Sequence, residues 1–245
     1  MNKTKVYDLP TRLFHWLFAG LFVVAYVIAS WVDDDSPLFT QHMFLGLILG
    51  CLTMLRVAWG LFGSKYARFT SFPLNPVFLF RYFRGILTAE GGRQLGHNPA
   101  SAWAALVMIA LALGLGLTGF LMASGQKETF EDMHELMANA FAFVVVAHIA
   151  GVILHQFRHR DGIALSMIHG KKENTGGGTG IEKSHRLAAM AMAGIVGLFA
   201  FHVYKNYDAS QGTINVFGMK LQLGENESRV HGDKQKSGER DGDDD

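Results

Sequence analysis

Five long apolar segments constrain this chain more than any other feature of its sequence. They run from Leu13 to Trp31, His42 to Phe62, Trp103 to Ala123, Leu136 to Phe157 and Leu187 to Tyr204. Each is close to the roughly 20 residues that an α-helix needs to cross the hydrocarbon core of a bilayer. The sequence therefore predicts an all-α membrane protein with five membrane-spanning helices.

The composition agrees with this prediction, since 49% of the 245 residues are hydrophobic and only 18% are charged. The net charge is +1, and we expect no nucleic-acid partner. Basic residues before Leu13 resemble the start of a secretory signal. However, the first segment is longer than a typical signal core and ends in Trp31 and three aspartates. We therefore interpret it as a helix that stays in the membrane.

The distribution of basic residues predicts the orientation in a bacterial cytoplasmic (inner) membrane. If the N-terminus is cytoplasmic, the two short outer loops contain one basic residue, Lys127. The inner segments then contain fourteen: Lys3, Lys5, Arg12, Lys65, Arg68, Arg81, Arg84, Arg93, Arg158, Arg160, Lys171, Lys172, Lys183 and Arg186. Because cytoplasmic loops are enriched in Lys and Arg, this asymmetry predicts a cytoplasmic N-terminus and, with five spans, a periplasmic C-terminus.

The chain divides into four predicted regions. Residues 1–160 form a four-helix bundle, 161–184 a cytoplasmic linker with a glycine run, 185–204 the fifth helix, and 205–245 a periplasmic, partly disordered acidic tail. Ser184 is the expected N-cap of the fifth helix. Within the bundle region, Val77 to Leu87 predicts a helix that lies in the membrane interface. In the tail, Thr213 to Leu223 predicts a small β-hairpin against the outer face.

Four histidines lie in or near the ends of these apolar segments: His15, His42, His134 and His148. An ionisable side chain inside a membrane is costly and is a functional-site hypothesis by default, and imidazole is also a ligand of haem iron. His134 and His148 are fourteen residues apart, or about four helical turns less 40°. They therefore share one helix face at an axial separation of roughly 21 Å, which predicts two metal centres stacked across the bilayer.

The predicted depths of the histidines suggest how they pair. His42 and His134 both lie at the outer side of the membrane and form the natural outer pair. The inner partner of His15 is either His148 or His155, and depth alone slightly favours His155. Bis-histidine haem fits two pairs at two depths, and a zinc site or a proton pathway is the competing interpretation. Zinc fits less well because a tetrahedral site needs its ligands at one depth.

The single cysteine, Cys51, limits the cofactor chemistry. The chain has no C-x-x-C-H motif and too few thiols for a cysteine-ligated iron–sulfur cluster. We therefore expect non-covalent b-type haem, held by axial ligands and packing.

Arg56 and a pair of glycines on the second segment each have two interpretations. Arg56 lies fourteen residues after His42 on the same face, where it would pair with a haem propionate or a quinone oxygen, or else snorkel to the inner surface. Gly46 and Gly50 form a smooth strip below His42. Such a strip lets either a flat macrocycle or a neighbouring helix approach closely.

Several motifs together resemble the prokaryotic cytochrome b561 family, which includes the b-type cytochrome subunit of nickel–iron hydrogenases. They are Tyr7-Asp8-Leu9-Pro10-Thr11-Arg12-Leu13-Phe14-His15-Trp16, Arg56-Val57-Ala58-Trp59-Gly60-Leu61-Phe62-Gly63, Ala67-Arg68-Phe69, Gly96-His97-Asn98-Pro99, and His134-Glu135-Leu136 with Asn139 and His148. The resemblance covers roughly Val6 to Arg160. The fifth helix and the tail lie beyond the four-span pattern of this family.

The resemblance implies a four-helix electron carrier that contains two b haems. His42 and His134 would ligate the outer haem, and His15 and His148 the inner haem. His155 would then lie about one heptad below His148, near a propionate or the polar inner surface.

The expected function is electron transfer across the membrane between a periplasmic redox partner and the quinone pool or another acceptor. The acidic outer segments suit a basic partner such as a c-type cytochrome, and lipid surrounds the helices. Two other functions belong to the same scaffold. One is a quinone-linked oxidoreductase that acts directly on a small molecule such as superoxide, and the other is the membrane anchor subunit of a hydrogenase-like complex. The residues do not encode the direction of electron flow.

Overall fold

A computed structural model describes residues 3–33, 36–88, 95–159, 162–173 and 178–223. The helices are α1 (Leu9–Trp31), α2 (Phe39–Phe62), α3 (Pro76–Thr88), α4 (Pro99–Leu121), α5 (Lys127–His159), α6 (Ile163–His169) and α7 (Arg186–Lys205). The strands are β1 (Lys3–Lys5), β2 (Lys171–Glu173), β3 (Tyr207–Asp208), β4 (Thr213–Val216) and β5 (Met219–Gln222).

Among the described residues, four helical stretches are long and apolar enough to cross a membrane, which confirms the prediction of a helical membrane protein but not its count of five spans. They are α1, α2, α7 and one stretch of 60 residues, Pro99–Arg158. This last stretch contains both α4 and α5, which are separated by a π-helical turn, Met122–Gln126. Gly125 in that turn has a φ of 100°, a left-handed backbone that glycine adopts without steric cost.

Helices α4 and α5 pack side by side in opposite directions. A Cβ on Gly119 would lie 3.4 Å from the ring of His134, whereas one on Gly114 would lie 2.6 Å from the sulfur of Met137. A step toward the N-terminus of α4 therefore meets a residue nearer the C-terminus of α5. The two helices form an antiparallel hairpin whose close approach depends on small residues of α4.

Helix α1 also packs antiparallel to α5. The Tyr26 hydroxyl donates a hydrogen bond of 3.0 Å to the side-chain oxygen of Asn139, and the rings of Phe22 and Phe141 are 4.3 Å apart. Phe18 also contacts Phe141, at 5.8 Å. With α2 packed against both α1 and α4, these four helices form one bundle.

The segment after α7 folds back onto the end of the bundle that contains His42 and His134. Strands β3, β4 and β5 form an antiparallel sheet, which confirms the predicted hairpin and adds a third strand. Ile214 and Leu221 of the sheet are buried against Val203 of α7, and the same core contacts Met43 and Phe44 of α2. The sheet therefore packs on the two residues that follow His42 in sequence. The rest of the tail, residues 224–245, lies outside the described residues.

The inner side contains more structure than the predicted linker. Helix α3 is present as expected, but the region 161–184 also holds α6 and β2. Strand β2 pairs antiparallel with β1, with Lys3 opposite Glu173. The backbone N–H of Val6 continues this contact by donating to the carbonyl of Gly170. The predicted linker 161–184 therefore contains regular structure at Ile163–His169 and Lys171–Glu173.

The predicted cap of the fifth helix is also wrong. The N-cap of α7 is His185, which has a left-handed backbone with φ 52° and makes no capping hydrogen bond with its side chain. The carbonyl of Ser184 instead accepts a hydrogen bond from the N–H of Leu9 at the start of α1. Ser184 therefore joins two helices rather than capping one.

Candidate functional site

The outer histidines of α2 and α5 face each other. The ring centres of His42 and His134 are 6.2 Å apart and the ring planes are nearly perpendicular, at 83°. Two imidazoles on opposite sides of one metal ion, each with a metal–nitrogen bond of about 2.0 Å, place their ring centres roughly 6 Å apart. The separation therefore suits two axial ligands of a single iron.

Hydrogen bonds orient both outer rings in the same way. His42 Nδ1 is 2.9 Å from the carbonyl oxygen of Ala25, which can only accept, so this nitrogen carries the proton. The Thr118 hydroxyl donates its one hydrogen to the carbonyl of Gly114 at 2.9 Å and so accepts from Nδ1 of His134, also at 2.9 Å. Both rings therefore keep an unprotonated Nε2, the form that binds a metal, and such partners also hold the ring orientation.

The glycines of α2 and α4 support helix packing. A Cβ on Gly116 would lie 4.0 Å from the Cα of Gly50, so α2 and α4 approach closely at this level. A Cβ on Gly46 would have no neighbour within 4 Å. The helix-contact interpretation therefore applies to Gly50, while Gly46 lies one turn closer to His42.

The inner histidines of α1 and α5 lie close enough for their charges to interact. Their placement continues the antiparallel register in which Tyr26 meets Asn139. Moving eleven residues down α1 from Tyr26 reaches His15, and moving nine residues along α5 from Asn139 reaches His148. The structure thus brings His15 to the depth of His148, which is the pairing that the family resemblance implied.

His155 lies one level deeper and has a different neighbour. Its Nδ1 is 2.8 Å from the Tyr82 hydroxyl of α3, and the two rings are stacked at 6.2 Å. The side chain is only 2% exposed. In the described part of the chain, His155 therefore connects α5 to the interfacial helix.

Arg56 is enclosed and does not snorkel to the surface. It is 4% exposed, donates from Nη2 to the carbonyl of Ala67 at 3.2 Å, and lies 5.2 Å from the centre of the Phe69 ring. Its Nη1 is buried without a hydrogen-bond partner. A buried charge that lacks compensation is costly, with measured penalties of about 3–5 kcal/mol when a partner is removed.

The nearest acidic group does not fill that gap. The charge of Asp8 acts on Arg56, and Asp8 is 1% exposed. Its Oδ1 accepts from the backbone N–H of Thr11 at 2.9 Å and its Oδ2 accepts from the indole N–H of Trp59 at 3.0 Å. Asp8 therefore caps α1 and ties it to α2.

His97 lies in one of the motifs that resemble the family, and its position in a loop predicted no cofactor role. It precedes α4, and its ring contacts Tyr7 at 5.4 Å and Phe72 at 4.5 Å. Its Nδ1 is buried without a hydrogen-bond partner. Burial, followed by the charges of Arg56 and Lys172, lowers the pKa of His97 to about 3. The ring is therefore neutral at ordinary pH and lies within electrostatic range of both Arg56 and His148.

The described residues contain no group of three or more His, Cys, Asp or Glu side chains that could hold a metal ion. Each histidine pair therefore offers two protein ligands. Two imidazoles suit an iron whose other ligands come from a macrocycle, so the donor sets fit haem.

A bundle of membrane-length helices with paired intramembrane histidines defines the class of helical membrane proteins that bind a redox cofactor. Residues 6–170 match the family described as prokaryotic cytochrome b561, and the chain belongs to this family. It is therefore a membrane protein of a family of b-type cytochromes.

Relatives of known name agree with this assignment. The chain is 24% identical over 216 residues to a probable Ni/Fe-hydrogenase B-type cytochrome subunit of Cupriavidus necator, covering 69% of this chain and 87% of that protein. A probable Ni/Fe-hydrogenase 1 B-type cytochrome subunit of Escherichia coli is 23% identical over 146 residues, covering 50% and 61%. The match thus spans less than two thirds of the Escherichia coli protein. No solved structure matches the chain.

Proposed function

We propose that this protein is a dihaem cytochrome that carries electrons across the bacterial cytoplasmic membrane, between a periplasmic redox partner and the quinone pool or another acceptor. The observation that carries the proposal is the close approach of His42 and His134, with ring centres 6.2 Å apart. A second pair at the opposite end of the bundle, His15 and His148, supports the count of two haems.

The residues have separate tasks in this proposal. Each bound haem supplies one-electron oxidation and reduction, while the protein sets its ligation, spacing and surroundings. Ala25 and Thr118 keep the outer imidazoles in the tautomer that presents Nε2 to iron. His155 is not assigned to a haem here, because its ring stacks on Tyr82 of α3, whereas His42 and His134 approach each other.

The proposed topology has five membrane crossings. Helices α4 and α5 contain 23 and 33 residues, so each is long enough to span the hydrocarbon core. The basic asymmetry of the loops supports a cytoplasmic N-terminus and a periplasmic C-terminus. In this orientation the sheet of β3, β4 and β5 lies in the periplasm beside the outer pair.

The relatives favour a second candidate for the partner. The proteins from Cupriavidus necator and Escherichia coli are named as B-type cytochrome subunits of Ni/Fe-hydrogenases. The chain would then be the membrane subunit of a hydrogenase-like complex and would pass electrons from that enzyme to quinone. Co-purification with a nickel-containing or iron–sulfur subunit would favour this candidate over a diffusing c-type cytochrome. Reduction of the purified protein by superoxide alone would favour the quinone-linked oxidoreductase.

The first test is the haem content of the purified protein and its histidine variants. Pyridine-haemochrome analysis of the wild type should give two b haems per chain. His42→Ala and His134→Ala should each lose the same haem, and His15→Ala and His148→Ala should each lose the other. His202→Ala on α7 is the matched control and should keep both.

Each failure has a distinct meaning. If the folded protein contains no haem although it was produced with an ample supply of haem, the proposal as a whole is contradicted. Loss of a haem in His155→Ala, with both retained in His148→Ala, contradicts only the inner ligand assignment.

A further inference from the structure

Two buried nitrogen atoms at the end of the bundle that contains His15 and His148 have no hydrogen-bond partner among the described residues. They are Nη1 of Arg56, on α2, and Nδ1 of His97, just before α4. Nη1 is always a donor, and Nδ1 is a donor in the tautomer of the neutral imidazole that carries its proton there. A buried donor without an acceptor is uncommon in a folded protein and indicates a missing partner.

The two donors belong to one cluster. The guanidinium of Arg56 lies over the Phe69 ring, Phe69 contacts Phe72 at 5.7 Å, and Phe72 contacts His97 at 4.5 Å. The charge of Arg56 acts on His97, as does the charge of Lys172. Lys172 is itself 3% exposed and donates to the carbonyl of Gly96 at 3.2 Å.

The chemistry of this cluster selects an anion. A planar guanidinium binds carboxylates through strong charge-assisted bonds, and an imidazole N–H within electrostatic range can donate to the same group. The charge of Asp8 acts on Arg56, but the bonds that Asp8 accepts come from Thr11 and Trp59. Among the described residues, Nη1 of Arg56 therefore has no acceptor.

The cluster also lies beside the inner histidine pair. The charge of His148 acts on His97, and His148 in turn acts on His15. Arg56 lies 6.0 Å from the ring of Phe14, the residue next to His15. A group bound between His15 and His148 thus has the cluster as its neighbour on the inner side.

We infer that Arg56 and His97 form a binding subsite for a carboxylate, and that its occupant is a propionate of the inner haem. Arg56 supplies the compensating charge and His97 a neutral hydrogen bond, while the aromatic rings of Phe69 and Phe72 exclude water. This inference rests on the proposed dihaem function. It adds His97, which no sequence pattern assigned to the site.

The test uses the purified full-length protein with its native haem. Arg56→Gln removes the charge, Arg56→Lys keeps it without the planar fork, and His97→Phe keeps the packing between Tyr7 and Phe72 without the nitrogen. Arg68→Gln is the matched control, because Arg68 is an exposed arginine in the segment that follows α2. Redox titration gives the midpoint potentials, and resonance Raman spectroscopy gives the propionate bending band of each haem.

Arg56→Gln should lower the midpoint potential of the haem that His15→Ala removes, because a nearby positive charge favours the electron-rich reduced state. The expected change is about tenfold in the ratio of reduced to oxidised haem at a fixed potential, or about 59 mV. The propionate band of the same haem should move. Arg56→Lys should restore most of the potential, and His97→Phe should move the band with a smaller change in potential.

Several results would overturn the inference. One is an Arg56→Gln protein whose potentials and propionate bands equal those of Arg68→Gln. Another is a change in quinone reduction with unmoved propionate bands, which would identify the carbonyl or anion of a quinone as the occupant. If Arg56→Gln does not assemble, propionate bands that stay unmoved in both Arg56→Lys and His97→Phe would equally overturn the inference. A wild type without haem contradicts the proposed function instead, so the two failures are distinguishable.

Discussion

Thr118→Val tests whether the outer site works as the hydrogen-bonding pattern indicates. Valine has nearly the shape of threonine but lacks the hydroxyl that accepts from His134 Nδ1 at 2.9 Å. A donor left without its acceptor in a buried site costs about 1–3 kcal/mol. The carbonyl of Leu115 also interacts with this imidazole and takes up part of the loss.

The expected loss of affinity for the outer haem therefore lies at the lower end of the range for a lost hydrogen bond that orients a metal ligand. Such losses weaken metal-site affinity by about 10–100-fold, and we expect about tenfold, or roughly 1.4 kcal/mol, for the outer haem. The affinity of the inner haem should not change, because Thr118 lies on α4 beside the outer pair. The assay is the rate at which each haem transfers from the purified protein to an excess of a haem-free acceptor protein.

The matched control is Thr53→Val. Thr53 is 2% exposed and its hydroxyl donates to the carbonyl of Leu49 at 2.8 Å, within α2. The substitution thus removes the same group from a similar place without touching a histidine. Equal haem-transfer rates for Thr118→Val and Thr53→Val would refute the role of Thr118, as would an equal effect of Thr118→Val on both haems.

Two further predictions concern the inner contact of His155 and the outer turn. Tyr82→Phe removes the 2.8 Å hydrogen bond to His155 and should leave both haems and their spectra unchanged. The lost bond should lower the midpoint of thermal unfolding by about 2–4 °C, for a loss of roughly 1 kcal/mol. A missing haem would instead indicate that His155 is a ligand. The hydroxyl of Ser210 holds the pKa of Asp208 below 3.8, and the backbone N–H groups of Ser210 and Gln211 add to this effect. These hydrogen bonds therefore stabilise the turn fully above pH 3.8, and the stabilisation is lost as the pH falls through the lowered pKa. Ser210→Ala should raise the pKa of Asp208 toward 3.8 in an NMR titration, and an unchanged titration curve would contradict this cause.

Hydropathy and spacing predicted the helices and the approach of His42 to His134, because the low polarity of the membrane interior governs both. A membrane helix must be apolar over its whole length, so α1, α2, α4, α5 and α7 each have a strong signal. Inside such helices an ionisable residue stands out by its cost, as His42 and His134 do. Their encounter required only that both lie near the outer ends of their helices.

The inner site was harder to predict because depth is a coarse measure. Counting residues from the membrane surface did not separate His148 from His155. The antiparallel contacts of α1 with α5, such as Tyr26 with Asn139, fix the register and bring His15 to the depth of His148. This register depends on side-chain packing between two helices, which the sequence pattern of either helix alone does not predict.

His97 and the cap of α7 could not be predicted for a different reason. His97 lies in a polar segment between helices, where a histidine has no cost, and its burial arises from Tyr7 and Phe72, far away in sequence. Ser184 is a suitable capping residue by type, but its carbonyl is used by Leu9, and His185 takes the cap position. Both outcomes depend on contacts between distant segments.

The pairing of β1 with β2 has a consequence for the order in which the chain assembles. Lys3 cannot meet Glu173 until the ribosome has synthesised α1 to α6, so β1 waits for its partner strand while these six helices are made. The match to the cytochrome b561 family ends at residue 170, immediately before β2. The strand pair therefore forms only when the matched region has been synthesised in full.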